Sequence, residues 1–183
     1  MQRSTNLTKG ICIMTLRKLL TALATASLLV GATLTHAGES EDQAALLKAL
    51  PGAKVSLQQG LQAAAAHGRP ISAKFEVEDG KLQLSVYTGK AGKFTEVIVD
   101  HTTGRVAKAK AITEGDDLVA AKAQASSLAK VKESLKTAVD KAEHEAAGYR
   151  AVGVAPEQNV KGGSVKVTLA KDSEFKTLAV SVK

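Results

Sequence analysis

The amino-acid sequence predicts an α+β chain made of two repeated units, each a helix laid on an antiparallel sheet. Three observations predict it. Residues 73–112 hold two hairpin signals flanked by apolar runs, the mark of a small antiparallel sheet. Just before them, Leu57, Leu61 and Ala64 or Ala65 recur at helical spacing, so one helix face can lie on that sheet. The order helix, hairpin, strand then returns, and Phe175-Lys176-Thr177-Leu178-Ala179-Val180 lines up with Phe94-Thr95-Glu96-Val97-Ile98-Val99, which reads as an internal duplication. The expected organisation is a signal peptide over 1–37, a first unit over 38–112 and a second over 113–183.

The leader comes first. Met14-Thr15-Leu16-Arg17-Lys18 is a short basic region, Leu19 to Leu34 an apolar run, and Thr35-His36-Ala37 a small-residue end, so cleavage is expected after Ala37. The apolar run is shorter than the ~20 residues that span a bilayer, which argues against a retained anchor. Met14 is a second candidate start. Cys12, the one cysteine, falls in this leader, so the exported chain is expected to carry no disulfide, thiol nucleophile or thiolate metal site. A bacterial periplasm fits that chemistry.

Residues 40–50 read as a short helix stopped by Pro51-Gly52, and 55–68 as a better one. Ser56 is placed to cap the second helix, with Gln59 completing a capping box and Gly68 ending it. Gly60 weakens its middle by about 1 kcal/mol relative to Ala, which points to close packing there. Asp79-Gly80 is a two-residue hairpin turn, because both positions tolerate positive φ. It sets Val77 opposite Leu82, Phe75 opposite Leu84 and Ala73 opposite Val86 on one face, with Glu78 facing Lys81 at the turn. A one-residue slip would scatter those pairs. The second turn follows Val97-Ile98-Val99, where Asp100 can bond backbone groups and Gly104 can take a left-handed conformation.

Residues 113–117 form a polar, acidic connection, the expected boundary between units. A long helix is expected over 127–148, with Leu128, Val131, Leu135, Ala138, Val139 and Ala142 on one stripe. Strands are expected over 149–154, 165–169 and 175–180, with 155–163 read as a loop from its Pro and paired Gly.

A helix opened by Val55-Ser56-Leu57-Gln58-Gln59, then a hairpin, then a strand ending in Val99-Asp100-His101-Thr102-Thr103-Gly104-Arg105-Val106 resembles the PepSY domain family. The resemblance covers 55–112 well and 126–183 more loosely; the second copy lacks the Asp-x-x-Thr-Gly turn and is expected to be one strand shorter. Families with this domain include propeptides of thermolysin-like metallopeptidases. The resemblance therefore implies a non-catalytic exported module that binds peptides or inhibits a separate peptidase in the periplasm. The alternative it leaves open is a structural or sensory accessory protein that binds a membrane-protein partner in the envelope. Oligomeric state stays open.

Composition narrows the chemistry further. The net charge is +7, but the leader contributes four of the basic residues and no acids, leaving about +3 on the remainder. With 3% aromatic residues and no long basic run, nucleic-acid binding is not expected. No Trp is present, so the core must come mainly from Val, Leu, Ile and Ala. Units of about 70 residues bury a small fraction of their surface, and stability then depends on the halves packing together.

The search for catalytic groups yields none. His144-Glu145-Ala146-Ala147-Gly148 begins like a zinc protease motif, but Gly148 stands where the second His is needed. His67, His101 and His144 lack ligand spacing. Asp116-Asp117 and Glu41-Asp42 suit helix N-termini. No Gly-x-Ser-x-Gly occurs, and the Gly89–Gly92 and Gly162-Gly163 spots read as loops. In Asp100-His101-Thr102-Thr103-Gly104, Asp and Gly are what the turn itself demands. The chain is thus expected not to be an enzyme and to need no cofactor or metal. One feature invites binding: Lys108 and Lys110 alternate with Ala107, Ala109 and Ala111, as in an exposed edge strand guarded by charge. Such an edge accepts an extended peptide as an added strand.

Overall fold

The computed structural model describes residues 37–129, 131–157 and 163–182. The leader reading, with Cys12 and Met14, lies outside them; Ala37 opens the first helix. The described residues form helices α1 (Ala37–Ala49), α2 (Leu57–Ala64), α3 (Gly115–Leu128) and α4 (Leu135–Glu145). The strands are β1 (Arg69–Glu78), β2 (Lys81–Lys90), β3 (Lys93–Val99), β4 (Val106–Ile112), β5 (Arg150–Pro156), β6 (Ser164–Lys171) and β7 (Glu174–Ser181). All seven join one antiparallel sheet in the order β4-β3-β2-β1-β5-β6-β7.

Local chemistry places most of these elements as expected. Asp79 (φ 50°) and Gly80 (φ 73°) make the β1–β2 turn, and the pairs Val77–Leu82, Phe75–Leu84 and Ala73–Val86 all form. At the start of α2 the Ser56 hydroxyl accepts from the Gln59 N–H at 3.2 Å, and the Ser56 N–H donates to Gln59 Oε1 at 2.8 Å. Leu57, Leu61 and Ala64 are buried; a 3₁₀ turn over Ala65–His67 and Gly68 then end the segment. A Cβ on Gly60 would sit 2.5 Å from Leu84 Cδ2, so the missing side chain is what lets α2 press onto β2.

The two faces of the sheet differ in character. Phe75, Leu84, Val86, Val97 and Val99 are buried beneath α2, and Val154, Val167 and Leu169 continue that apolar face beneath α4. Alternate residues Ser72, Lys74, Glu76, Ser85 and Tyr87 make the opposite face polar, and α3 crosses it, with Ser72 donating to Gln124 Oε1 at 2.8 Å.

The single long helix expected over 127–148 is instead two. Ser134 breaks it by accepting from the Thr137 N–H at 3.1 Å, and Arg69 satisfies the carbonyls freed at the break, donating to Leu128 O at 3.3 Å and Val131 O at 3.1 Å. Leu128, Val131 and Leu135 are all buried, so the apolar stripe runs on across a bend it does not betray. Strand β5 also runs further than expected, with Pro156 paired to Val165. Pro is tolerated there because β1 pairs with β5 only at Ala73–Val154 and Lys74–Gly153, leaving that end of β5 without a neighbour on its other side.

Those two residue pairs are where the two halves of the sheet meet, and side chains reinforce them. The Arg150 guanidinium donates to Val55 O at 2.7 Å, Ala53 O at 3.0 Å and Leu50 O at 3.4 Å, and lies 5.2 Å from the Phe75 ring centroid. Gln58 on α2 donates to Asp140 and Glu143 on α4, and Glu143 also accepts from the Ala151 N–H at 2.7 Å.

Two stability predictions follow from these contacts. Gly60→Ala should destabilise by ~1–3 kcal/mol despite its better helix propensity, because Leu84 has to move in a packed core. Urea unfolding of Gly60→Ala, Leu84→Ala and the double variant checks the cause: the double variant should lose less than the sum, and additive losses would rule the contact out. Arg150→Met should cost ~2–4 kcal/mol, since three carbonyls lose a charged donor. An unchanged unfolding midpoint would mean that water replaces the guanidinium at no loss.

Candidate functional site

The least covered element is β4. Val106 to Ala111 are exposed on both faces, and among the described residues β3 is the one strand beside them. Lys110 stands opposite Glu96, Lys108 opposite Ile98 and Ala109 opposite Val97. Val97 is fully buried whereas Ala109 is exposed, so the helical layer stops at β3 and β4 rides beyond it. The other edge, β7, is held better: Val180 is buried, and Phe175 and Leu178 pack on the core.

A rigid turn carries β4. Asp100 Oδ1 accepts from the Thr103 N–H at 2.7 Å, the Thr102 N–H at 2.9 Å and the Thr103 hydroxyl at 2.9 Å. The Asp100 N–H donates to Arg105 O at 2.8 Å, and Gly104 takes φ 73°. The His101 carbonyl accepts from the Lys54 and Val55 N–H groups, tying the turn to the segment before α2. The Thr103 backbone and side-chain bonds, then the Thr102 backbone bond, hold the Asp100 carboxyl below its ordinary pKa. Its Oδ1 is committed to the turn, the structural use that the sequence suggested for this Asp. Beyond the turn, Val99 pairs with Val106 and Ile98 with Lys108, so Ala107 bulges and the regular edge begins at Lys108.

A second feature lies between α3 and the polar face, a cavity of about 420 Å³ lined by Ser72, Lys74, Tyr87, Asp117, Gln124 and Lys166 among others. Acids crowd one side of it. Burial first, then Glu96, Glu76 and Asp117, push the Tyr87 phenol above its ordinary pKa. Burial, then Glu76, Glu78 and Asp117, raise Glu96, against the pull of Lys110. Tyr87 thereby stays a proton donor, 3.5 Å from Glu96, and Lys74 is neutralised by Glu76.

The remaining sequence candidates stay apart. His67 closes the 3₁₀ turn after α2, His101 sits in the Asp100 turn and His144 in the last turn of α4. Among the described residues no three His, Cys, Asp or Glu side chains gather as a metal site. Asp116 and Asp117 fall in the first turn of α3, and Glu41 and Asp42 lie in α1. Of the stretch Gly89–Gly92 expected as a loop, Gly89 lies inside β2, paired with Arg69 and Phe94, and Gly92 (φ 76°) sits in the β2–β3 turn; Gly162 lies outside the described residues.

Sequence reasoning set Asp116-Asp117 at a helix start but gave that helix, α3, no extent, and it missed the cavity beneath it and the Arg150 clamp. The paired acids before an Ala-rich run were the available signal for α3. No family model matches the chain, and no curated protein or solved structure matches it either.

The two perturbed carboxyls predict opposite pH behaviour. Glu96 binds its proton more tightly folded than unfolded, so its ionisation weakens the fold as pH rises through the raised value. Glu96→Gln should therefore raise the thermal midpoint at neutral pH, with the gain shrinking on acidification. Asp100 is lowered, so its contribution is present above the ordinary carboxyl range and fades as pH falls through the folded value. Asp100→Asn should cost more at pH 7 than in acid. Calorimetric scans across pH check both, and parallel curves for wild type and variant would refute either assignment.

Proposed function

We propose that the chain is a non-catalytic, exported binding module of the PepSY kind that takes an extended peptide segment onto β4, and through it binds peptides or inhibits a separate peptidase. The observation that carries this reading is β4 itself, an edge exposed on both faces. Each free main-chain N–H and C=O on such an edge is a template for an incoming strand.

The PepSY part of the reading, with units over 38–112 and 113–183, draws support from paired features. Helix α2 precedes β1 as α4 precedes β5, each opened by a serine cap, Ser56 and Ser134. Both β1 and β5 shift register near their start, at Ile71 and Val152. From the β1–β5 junction the strands run outward in chain order on both sides, four on one and three on the other.

Proline scanning at Lys108, Ala109 and Lys110 tests the edge. Neighbouring residues of an edge strand aim their N–H groups alternately at the sheet and at solvent, so one parity of proline removes only the donor that a peptide needs. Those variants should keep the unfolding midpoint and bind peptide, or inhibit a thermolysin-like metallopeptidase, ~5- to 10-fold more weakly, the worth of about one main-chain bond. The other parity should lower the midpoint instead. Undiminished binding by every variant that folds would end the reading.

A further inference from the structure

We infer that the segment β4 takes alternates acidic residues with small or β-branched apolar ones, an Asp/Glu-x-Asp/Glu pattern in extended form. This rests on the edge-addition reading above and names its ligand class.

The regular part of β4 has two chemically distinct faces. Lys108 and Lys110 project on the polar side of the sheet, opposite Ile98 and Glu96, and Ala109 and Ala111 lie on the helical side, opposite Val97 and Thr95. Among the described residues the ion pairs are Lys74–Glu76, Lys136–Asp140 and Lys141–Glu133, so neither ammonium of β4 has a carboxylate at contact range. Lys110 does feel Glu96 at longer reach, but Glu96 already has the Tyr87 hydroxyl beside it. Lys108 has only Ile98 across the ladder, and exposed Arg105 adds a further positive charge at the head of the strand.

An incoming strand sets a residue directly opposite each of these positions. Residues opposite Lys108 and Lys110 fall two apart on one face, so carboxylates at that spacing meet both ammonium groups, and opposite charges across a ladder are favourable while like charges are not. The residues between them lie beside Ala109 and Ala111, both exposed, whose methyl groups offer apolar area.

The same arithmetic disfavours a second copy of this chain. A two-fold pairing of β4 with β4 keeps the same face up, so with Ala109 on the axis Lys108 of one copy meets Lys110 of the other. The charges that repel self-association are those that select an acidic strand.

Fluorescence anisotropy with labelled peptides tests this on the chain 38–183. The probes are a seven-residue Glu/Val alternation, its Lys/Val counterpart, a block isomer of the Glu/Val composition, and the Glu/Val peptide with alternate backbone nitrogens methylated. The alternating acidic peptide should bind at least ~5-fold tighter than the other three, from two cross-strand charge pairs and the intact ladder, and weaken as salt shortens the Debye length to ~8 Å and below. Lys108→Glu, exposed and opposite Ile98, should keep the unfolding midpoint and abolish the preference for Glu/Val over Lys/Val. Equal binding of acidic and basic alternations, with the methylated peptide excluded, would overturn the acidic preference while leaving edge addition standing. Binding of the block or methylated peptide as tightly as the alternation would show capture by charge alone and overturn both, as would no binding by any probe.

Discussion

The structure depends on a junction only two residue pairs long, Ala73–Val154 and Lys74–Gly153, where β1 meets β5. Remove it and the sheet falls into a four-stranded and a three-stranded piece, each with half a core. Two pairs of a ladder cannot hold such a junction alone, since each main-chain bond contributes only about 1 kcal/mol net. Side chains crossing it make up the difference. Arg150 on β5 binds the carbonyls that lead into α2, and Glu143 on α4 bonds both Gln58 on α2 and the Ala151 N–H. A half-buried guanidinium is tolerated because several carbonyls share its protons and an aromatic ring lies beside it.

That junction also dictates the route of the chain. Strand β4 ends at the outer edge of one half, and β5 must start at the centre. The connection therefore recrosses the sheet, first as α3 over the polar face and then as α4 on the apolar face. Arg69, at the start of β1, grips Leu128 O and Val131 O where the chain turns between the two. Helical cover thus gathers over the middle of the sheet, and β4 is left bare by the geometry of the connection.

How much of this could be read from residues alone varies with the range of the interaction. The β1–β2 register, the capping box of α2, the tightness at Gly60 and the Asp100 turn depend on neighbours within a few positions or on one hairpin, and each was readable. Edge exposure at Lys108 and Lys110 was readable too, because alternating charge has a cost anywhere else. The split at Ser134 was hidden, since an apolar stripe keeps its spacing whether the helix is continuous or bent around the sheet. Arg150 carries no local mark of its role, for its partners lie some hundred residues away. The cavity under α3 needs a helix placed over strands from both halves, which no local pattern encodes.

The two edges of the sheet pose the same exposure problem and answer it differently. Strand β7 sinks Val180 and rests Phe175 and Leu178 on the core, so its side chains resist being lifted out to receive a neighbour. Strand β4 owes its place to the ladder with β3, the bulge at Ala107, the turn knit by the Asp100 carboxylate, and Ile112 at its far end, while Val106 to Ala111 stay unpacked. Adding a strand to β4 therefore displaces no packed side chain and costs the incoming segment only its own ordering. An edge left open by packing yet fixed by its turn presents a preorganised template, and preorganisation is what lets a few hydrogen bonds and charge pairs amount to measurable affinity.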